Sequence, residues 1–261
     1  MTILDEIISY KRKEVASCKE LISTAELEQM VLFQRPVLSM KESIQKKGPN
    51  AIIAEFKRQS PSKGVINNKV KVEEVTKAYS QAGAAAISVL TDFNFFGGSI
   101  DDLVAARRQV NIPLLRKEFI IDEYQLIEAK AYGADAILLI AAVLSAEEIQ
   151  SLYAFAKQLG LEVLLEIHNE EELDKINSNA DLVGINNRNL KTFEVNIENS
   201  IRLASMLPAD MPKIAESGIH SVDIIQLLQK KGFDGFLMGE NFMKTENPGM
   251  AFQTFMQQLK E

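Results

Sequence analysis

Eight short apolar runs recur along the chain, and a segment of helical period follows each of them. The runs are AIIAEF (51–56), AAAISVL (84–90), PLLR (113–116), ADAILLI (134–140), EVLLEI (162–167), ADLVGI (180–185), PKIAES (212–217) and FDGFLMG (233–239). Intervening segments such as EEVTKAYSQAG and AEEIQSLYAFAKQLG repeat apolar residues three and four apart. Several close on glycine, at Gly83, Gly133, Gly160 and Gly232, where a helix end accepts a left-handed residue. Strands alternating with helices imply a parallel sheet, and eight such units point to a closed α/β architecture, the (β/α)8 TIM barrel. The chain's 261 residues fit one such domain. No Gly-x-Gly-x-x-Gly follows a run, so a dinucleotide-binding open sheet is the weaker reading.

Residues 1–48 read as an N-terminal helical extension of that single domain, 1–261. Ile3, Leu4, Ile7, Ile8 and Val15 recur at helical spacing, and Ser23 with Glu26 and Ser39 with Glu42 fit capping boxes. KKGPN then stops the helical pattern. The expectation is that these helices cover one end of the barrel.

Several function classes drop out. The net charge of −7 carries no nucleic-acid footprint, although local cations remain able to grip a small anion. Cys18 is the only cysteine and His168 and His220 the only histidines, which leaves no disulfide and no soft-metal ligand spacing. The beginning of the chain is charged within five residues, so no signal peptide is read there. No stretch approaches ~20 apolar residues, the length of a membrane span. The expected location is the cytoplasm.

The C-terminal ends of the strands carry the active site in this fold. In order they are Glu55 and Lys57; Thr91 and Asp92; Lys117; Glu166 and His168; Asn186 and Arg188; Glu216 and Ser217; Gly239 and Glu240. Glu55/Lys57 and Asn186/Arg188 are i, i+2 pairs, which share one face of a strand and enter the barrel mouth together. The stretches ESGIHS and MGENF set glycines between the last two strands and their helices, the usual place for a phosphate in such barrels. Phe93, Phe95, Phe96, Phe119, Leu138 and Leu190 gather at the same ends and suggest a pocket for a flat ring.

The stretches AEFKRQSPSKG, SVLTDFNFFGGS, LLRKEFIID, LLEIH, GINNRNL, IAESGI and LMGE together resemble the indole-3-glycerol phosphate synthase family, and ILDEIISYKRKEV resembles its extra helices. The resemblance implies ring closure, decarboxylation and dehydration of 1-(2-carboxyphenylamino)-1-deoxyribulose 5-phosphate in tryptophan biosynthesis. It assigns Lys117 as general acid of ring closure and Glu166 as the proton-transfer carboxylate. Lys57 would hold the substrate carboxylate, with Glu55 and Asn186 orienting the lysines and the sugar. Ser217 with Gly218, and Gly239 with Glu240, would cradle phosphate, with Ser60 nearby. Arg188 matches a further polar position, while Phe96, Phe119, Leu138 and Leu190 would sandwich the aromatic ring. AEFKRQSPSKG would be a strand, an inward pair and a loop that closes over substrate.

Two positions depart from the family pattern. Glu118 stands where Asp is more usual and is expected to face away from the chemistry. Glu240 stands where a small hydroxyl residue can occur, and its side chain is expected to point outward, leaving its N–H to the phosphate. The alternatives are another phosphate barrel, such as phosphoribosylanthranilate isomerase or the tryptophan synthase α chain, and a non-catalytic metabolite-binding barrel. The implied partner is a phosphorylated small molecule, with no nucleic acid, no membrane, no metal and no cofactor; a monomer is expected, open to contacts with other enzymes of the pathway. Carbonyl activation falls to Lys117, so turnover should survive EDTA. Loss of activity with EDTA and its restoration by a divalent ion would contradict this.

Overall fold

A computed structural model describes residues 2–177, 180–190 and 192–260. All eight apolar runs contain strands: β1 (Ile52–Phe56), β2 (Ala86–Leu90), β3 (Leu114–Lys117), β4 (Ala136–Ile140), β5 (Glu162–Ile167), β6 (Leu182–Asn186), β7 (Lys213–Glu216) and β8 (Gly235–Met238). Each pairs in parallel with its sequence neighbours, and β1 pairs with β8, so the sheet closes. The glycines at 83, 133, 160 and 232 all take positive φ.

Strand alternation divides the core in two. Ile52, Ala54, Val89, Leu139, Val183 and Phe236 face outward into the layer shared with the helices. Ile53, Leu115, Leu164 and Ile214, from the odd-numbered strands, are fully buried inside the barrel. Two residues further along those strands stand Glu55, Lys117, Glu166 and Glu216. Side chains in such a barrel stack in layers drawn from alternate strands, normally of branched apolar residues. Here the layer above the aliphatic one is charged.

Among the described residues, the fifth strand is not followed by the expected α-helix. Residues 168–181 span the whole connection, about the minimum for a parallel crossover. A 3-10 turn forms at Glu170–Lys175, and the Glu172 carboxylate tightens it by accepting from the His168 N–H at 2.7 Å and Asn169 Nδ2 at 2.8 Å.

The N-terminal helices are α1 (Ile3–Leu21), α2 (Thr24–Glu28) and α3 (Met40–Lys47). They cover both ends of the barrel rather than one. Met40 and Ile44 of α3 pack against Ile53, Ala86, Leu115 and Leu182 and plug the end where the strands begin. Ile3, Leu4 and Ile7 of α1 reach the opposite end and line its cleft. The Ser23–Glu26 capping box forms as expected. At α3, Ser39 accepts from the Glu42 N–H, but the reciprocal carboxylate is Glu162 at the start of β5, which accepts from the Met40 and Lys41 N–H groups at 2.7 and 2.9 Å. A carboxylate at a helix N-terminus satisfies orphan donors and the helix dipole together.

One buried carboxylate fastens the extension to the barrel. Asp135, fully buried just before β4, accepts from Arg35 Nη2 at 2.5 Å, Arg107 Nη1 at 2.7 Å, and the N–H groups of Leu38 and Leu114 at 2.8 Å. Removing it strands two guanidinium groups, one of them buried. Asp135→Ala should lower stability to urea by about 3–5 kcal/mol, the cost of breaking a buried pair. A loss within the about 1 kcal/mol of an exposed ion pair would show that the link carries no load.

Candidate active site

The strand ends converge on a cleft of about 190 Å³. It is lined by every residue to which the family resemblance gives a role: Glu55, Lys57, Ser60, Phe96, Lys117, Phe119, Leu138, Glu166, Asn186, Arg188, Leu190, Ser217, Gly218, Gly239 and Glu240. The expected i, i+2 pairing is realised at β1, where Lys57 Nζ donates to Glu55 Oε1 at 2.6 Å. At β6, Asn186 Nδ2 donates to Glu166 Oε1 at 3.2 Å and its Oδ1 accepts from the Arg188 N–H at 2.9 Å.

Lys117 holds the centre. Its ammonium donates to Glu166 Oε2 at 3.0 Å and makes a short hydrogen bond to Glu216 Oε2. Burial disfavours its charge, yet Glu166, Glu216 and Glu55 overcome this and raise its pKa. Glu166 feels burial too, but Lys117 and then His168 hold its carboxyl well below the usual range. Glu216 is pushed up to about 8, by burial and by the negative charge of Glu166, against the pull of Lys117. Gly184 on β6 makes room for this carboxyl, because a Cβ there would lie 2.2 Å from Glu216 Oε1.

The sequence alone sets Glu216 and His168 at strand ends and gives neither a role. It also gives no site role to α1, whose Ile3, Leu4 and Ile7 form an apolar rim. The amphipathic stripe of α1 was the available signal, without an indication of what it covers. Lys11, on the same helix and 2 % exposed, reaches Asp92 and Glu118 at 2.9 Å each, and Glu14 at 2.6 Å.

The two departures resolve differently. Glu118 turns away from the Lys117 side, accepting from Thr91 Oγ1 at 2.7 Å and pairing with Lys11. Glu240 does not point away from the mouth. Its carboxylate lies 3.6 Å from Lys63 Nζ and 3.7 Å from Arg188 Nη2, so it spans the opening between two cations.

The aromatic expectation narrows as well. Asp92 Oδ1 accepts from the N–H groups of Phe95 and Phe96 at 2.7 and 3.2 Å, and this turn aims only Phe96 into the cleft, 5.9 Å from the Phe119 ring. Phe95 packs edge-on against Tyr10, and Phe93 is exposed.

The loop after β1 folds back as a small hairpin, Gln59–Ser60 with Gly64–Val65, whose Ser60, Pro61 and Ser62 line the cleft. Its base is tied by a bidentate Arg58–Asp102 pair and by Asn67 Nδ2 donating to the carbonyls of Met243 and Thr245 at 3.0 Å. At the end of β7, Ser217 and Gly218 both take left-handed backbone, with φ of 66° and 71°. Strain of that kind persists where surrounding structure enforces it, commonly at functional sites. Asn187 Nδ2 holds the turn by donating to the Ser217 carbonyl at 2.7 Å.

Comparison with known proteins gives three results. The model of the family "Indole-3-glycerol phosphate synthase" matches residues 4–255. Curated relatives named indole-3-glycerol phosphate synthase include one from Bacteroides thetaiotaomicron, 51% identical over 258 residues and covering 99% of both chains, and one from Neisseria meningitidis, 44% identical over 251 residues, with 94% and 95% covered. Among solved structures, the tryptophan synthase alpha subunit of Legionella pneumophila superposes with a TM-score of 0.61 at 14% identity, covering 85% of this chain and 97% of that one. At that identity the likeness concerns the barrel alone. Among the described residues no helix is long and apolar enough to cross a membrane. With nearly the whole chain matched, and with relatives this similar along their full length, the protein belongs to the indole-3-glycerol phosphate synthase family.

Proposed function

We propose that this chain closes the indole ring of 1-(2-carboxyphenylamino)-1-deoxyribulose 5-phosphate and releases carbon dioxide and water. The observation that carries this reading is the ammonium of Lys117 held between two buried carboxylates, facing a second lysine–carboxylate pair across one cleft. Ring closure forms a carbon–carbon bond at the ribulose carbonyl, whose oxygen gains negative charge and needs a proton. Lys117, held charged by its neighbours, supplies it. The carboxyl group then leaves as carbon dioxide, and its bonding electrons return to the ring system. Loss of the new hydroxyl as water needs one proton delivered and one removed, and Glu166 is the group we assign to that transfer.

Lys57 binds the substrate carboxylate, while Asn186 and Glu55 orient Glu166 and Lys57. Phe96, Phe119, Leu138 and Leu190 hold the ring. The N–H groups at Ser217, Gly218, Gly239 and Glu240 meet the phosphate, with Ser60 across the mouth. We further propose one domain and a cytoplasmic monomer, free to meet other enzymes of its pathway; the lone cysteine suits a reducing compartment.

Purified protein given the carboxyphenylamino substrate should develop indole absorbance, whereas an isomerase or a non-catalytic barrel would not. Lys117→Met should lower kcat by ~100- to 10,000-fold, the usual loss with a general acid. Near-normal turnover would transfer the role to Lys57.

The phosphate cradle gives a second test. A Cβ on Gly218 would meet Val195 Cγ1 at 2.3 Å on backbone that already has positive φ, so Gly218→Val should raise KM more than it lowers kcat. Gly239 is a poorer probe, because a Cβ there presses on Glu55 at 2.9 Å and would disturb the chemistry too. Glu240→Ser frees Lys63 and Arg188, so inorganic phosphate should compete with substrate at least as well as in the wild type. Failure of phosphate to compete in Glu240→Ser, with Gly218→Val unaffected, would reverse the assignment.

A further inference from the structure

Two carboxylates share Lys117, and the ammonium by itself gives no reason for either to keep the negative charge. Both are almost fully buried, both touch the same Nζ, and both line the same cleft. What breaks the symmetry lies on one side only. His168, two residues beyond Glu166 on the same face, sets its Nε2 3.1 Å from Glu166 Oε1, an ion-pair distance outside hydrogen-bond alignment. Its other ring nitrogen, Nδ1, is 3.4 Å from Glu172 Oε2 in the 3-10 turn that replaces the fifth helix.

Among the described residues, Glu216 has no such second cation. Its Oε1 is buried without a hydrogen-bond partner, while its other oxygen takes the short bond from Lys117. A buried carboxylate with one oxygen lacking a donor is costly as an ion, and a proton lowers that cost by removing the charge. Charge balance favours the same placement. With His168 an imidazolium and a proton on Glu216, the cations Lys57, Lys117 and His168 face the anions Glu55, Glu166 and Glu172. Without that proton the cleft floor holds a surplus buried charge.

We propose that His168 is a positioning residue that divides the proton between these two carboxyls: its imidazolium, clamped by Glu172, keeps Glu166 ionised and leaves the proton on Glu216. The inference deepens the reading of the site given above and rests on it for its catalytic meaning. The floor starts each turnover with one carboxylate able to accept a proton and one carboxylic acid able to donate one.

The titration tendencies agree. Burial opposes the charge of His168, but its contacts with Glu166 and Glu172 push it up to about 9. Beyond the imidazole's partner Glu166 stand Lys117 on β3, which contacts Glu166, and Glu216 on β7, which contacts Lys117. Glu171, Lys175, Arg188 and Glu194 border the neighbouring cavity into which the far edge of the imidazole opens, and the helix Ile197–Met206 adds the neutral Asn199, which donates to the His168 carbonyl at 3.1 Å. Lys175 is turned away onto the carbonyls of Ala141 and Leu144, so it does not replace the imidazolium.

The test is a pH titration of ligand-free protein carrying glutamate labelled with 13C at the side-chain carboxyl, read by NMR. Glu166→Gln and Glu216→Gln identify the two signals. In the wild type the Glu216 signal should titrate near 8 and the Glu166 signal should remain that of a carboxylate down to the acid end of the folded range. In His168→Gln the Glu166 midpoint should rise by about 1–3 units, the effect of removing an opposite charge at this distance, and the Glu216 midpoint should fall. A raised Glu166 midpoint means the carboxylate is lost at higher pH, so the acid limb of kcat/KM should move up by the same amount. Glu172→Gln, which leaves the imidazole in place, should shift both signals in the same directions by less, and it decides the question if His168→Gln does not fold. Unchanged midpoints, with kcat lowered equally at every pH, would make His168 a structural residue and overturn the proposal. A wild type that fails to turn over the substrate would sink the functional reading while the carboxyl titration still judged the division of charge.

Discussion

A half-buried ammonium shared by two buried carboxylates is the contact on which the top of this barrel depends. Ions removed from water at such depth are tolerated only when each meets a partner. Barrel closure supplies the partners, since Glu55, Lys117, Glu166 and Glu216 come from the four odd-numbered strands at one level, directly above a layer of isoleucine and leucine. The register that packs the aliphatic layer therefore also sets the reach of each charged side chain. A slip of one residue in any of these strands would exchange its inward and outward faces, burying a charge among the helices. The packing of the core and the geometry of the site are enforced by the same hydrogen-bond ladder.

Electrostatic balance extends beyond the cleft floor. Behind the barrel wall, Lys11 answers the carboxylates of Asp92 and Glu118; at the opposite end, Arg35 and Arg107 answer Asp135. In both places one partner comes from the N-terminal extension. That segment is held by apolar contact at α3 and by ionic contact at Arg35 and Lys11, which gives it a fixed position that apolar packing alone would specify less sharply.

Much of this was legible in the chain itself. The eight-fold rhythm located every barrel strand, because inner-barrel strands are buried on both faces and read as unbroken apolar runs. The i, i+2 pairs at positions 55/57 and 186/188 indicated which charges enter the mouth, since strand periodicity is strict. What stayed hidden depends on distance across the fold. That Glu162 rather than Glu42 completes the cap of α3, or that Glu240 reaches over to Lys63 and Arg188, requires knowing which strand starts and loops become neighbours. Phe93 and Phe95 looked like pocket residues until the Asp92 turn fixed their directions. His168 was visible as a residue, but its meaning comes from Glu172, which takes its place only because the connection after β5 is too tight for a full helix.

The first helix has a practical side for handling the protein. Thr2 borders the cavity beside the cleft, and Ile3 and Leu4 form part of the cleft wall itself. An affinity tag or fusion partner joined at the amino end would thus emerge at the substrate entrance, next to the apolar rim and the lysine buried one helical stretch further on. Trimming the helix to tidy an expression clone would expose that rim and leave the Asp92 and Glu118 carboxylates without their cation. Purification handles belong at the carboxyl end, after the helix Pro248–Gln258, so that kinetic measurements report on the enzyme rather than on its label.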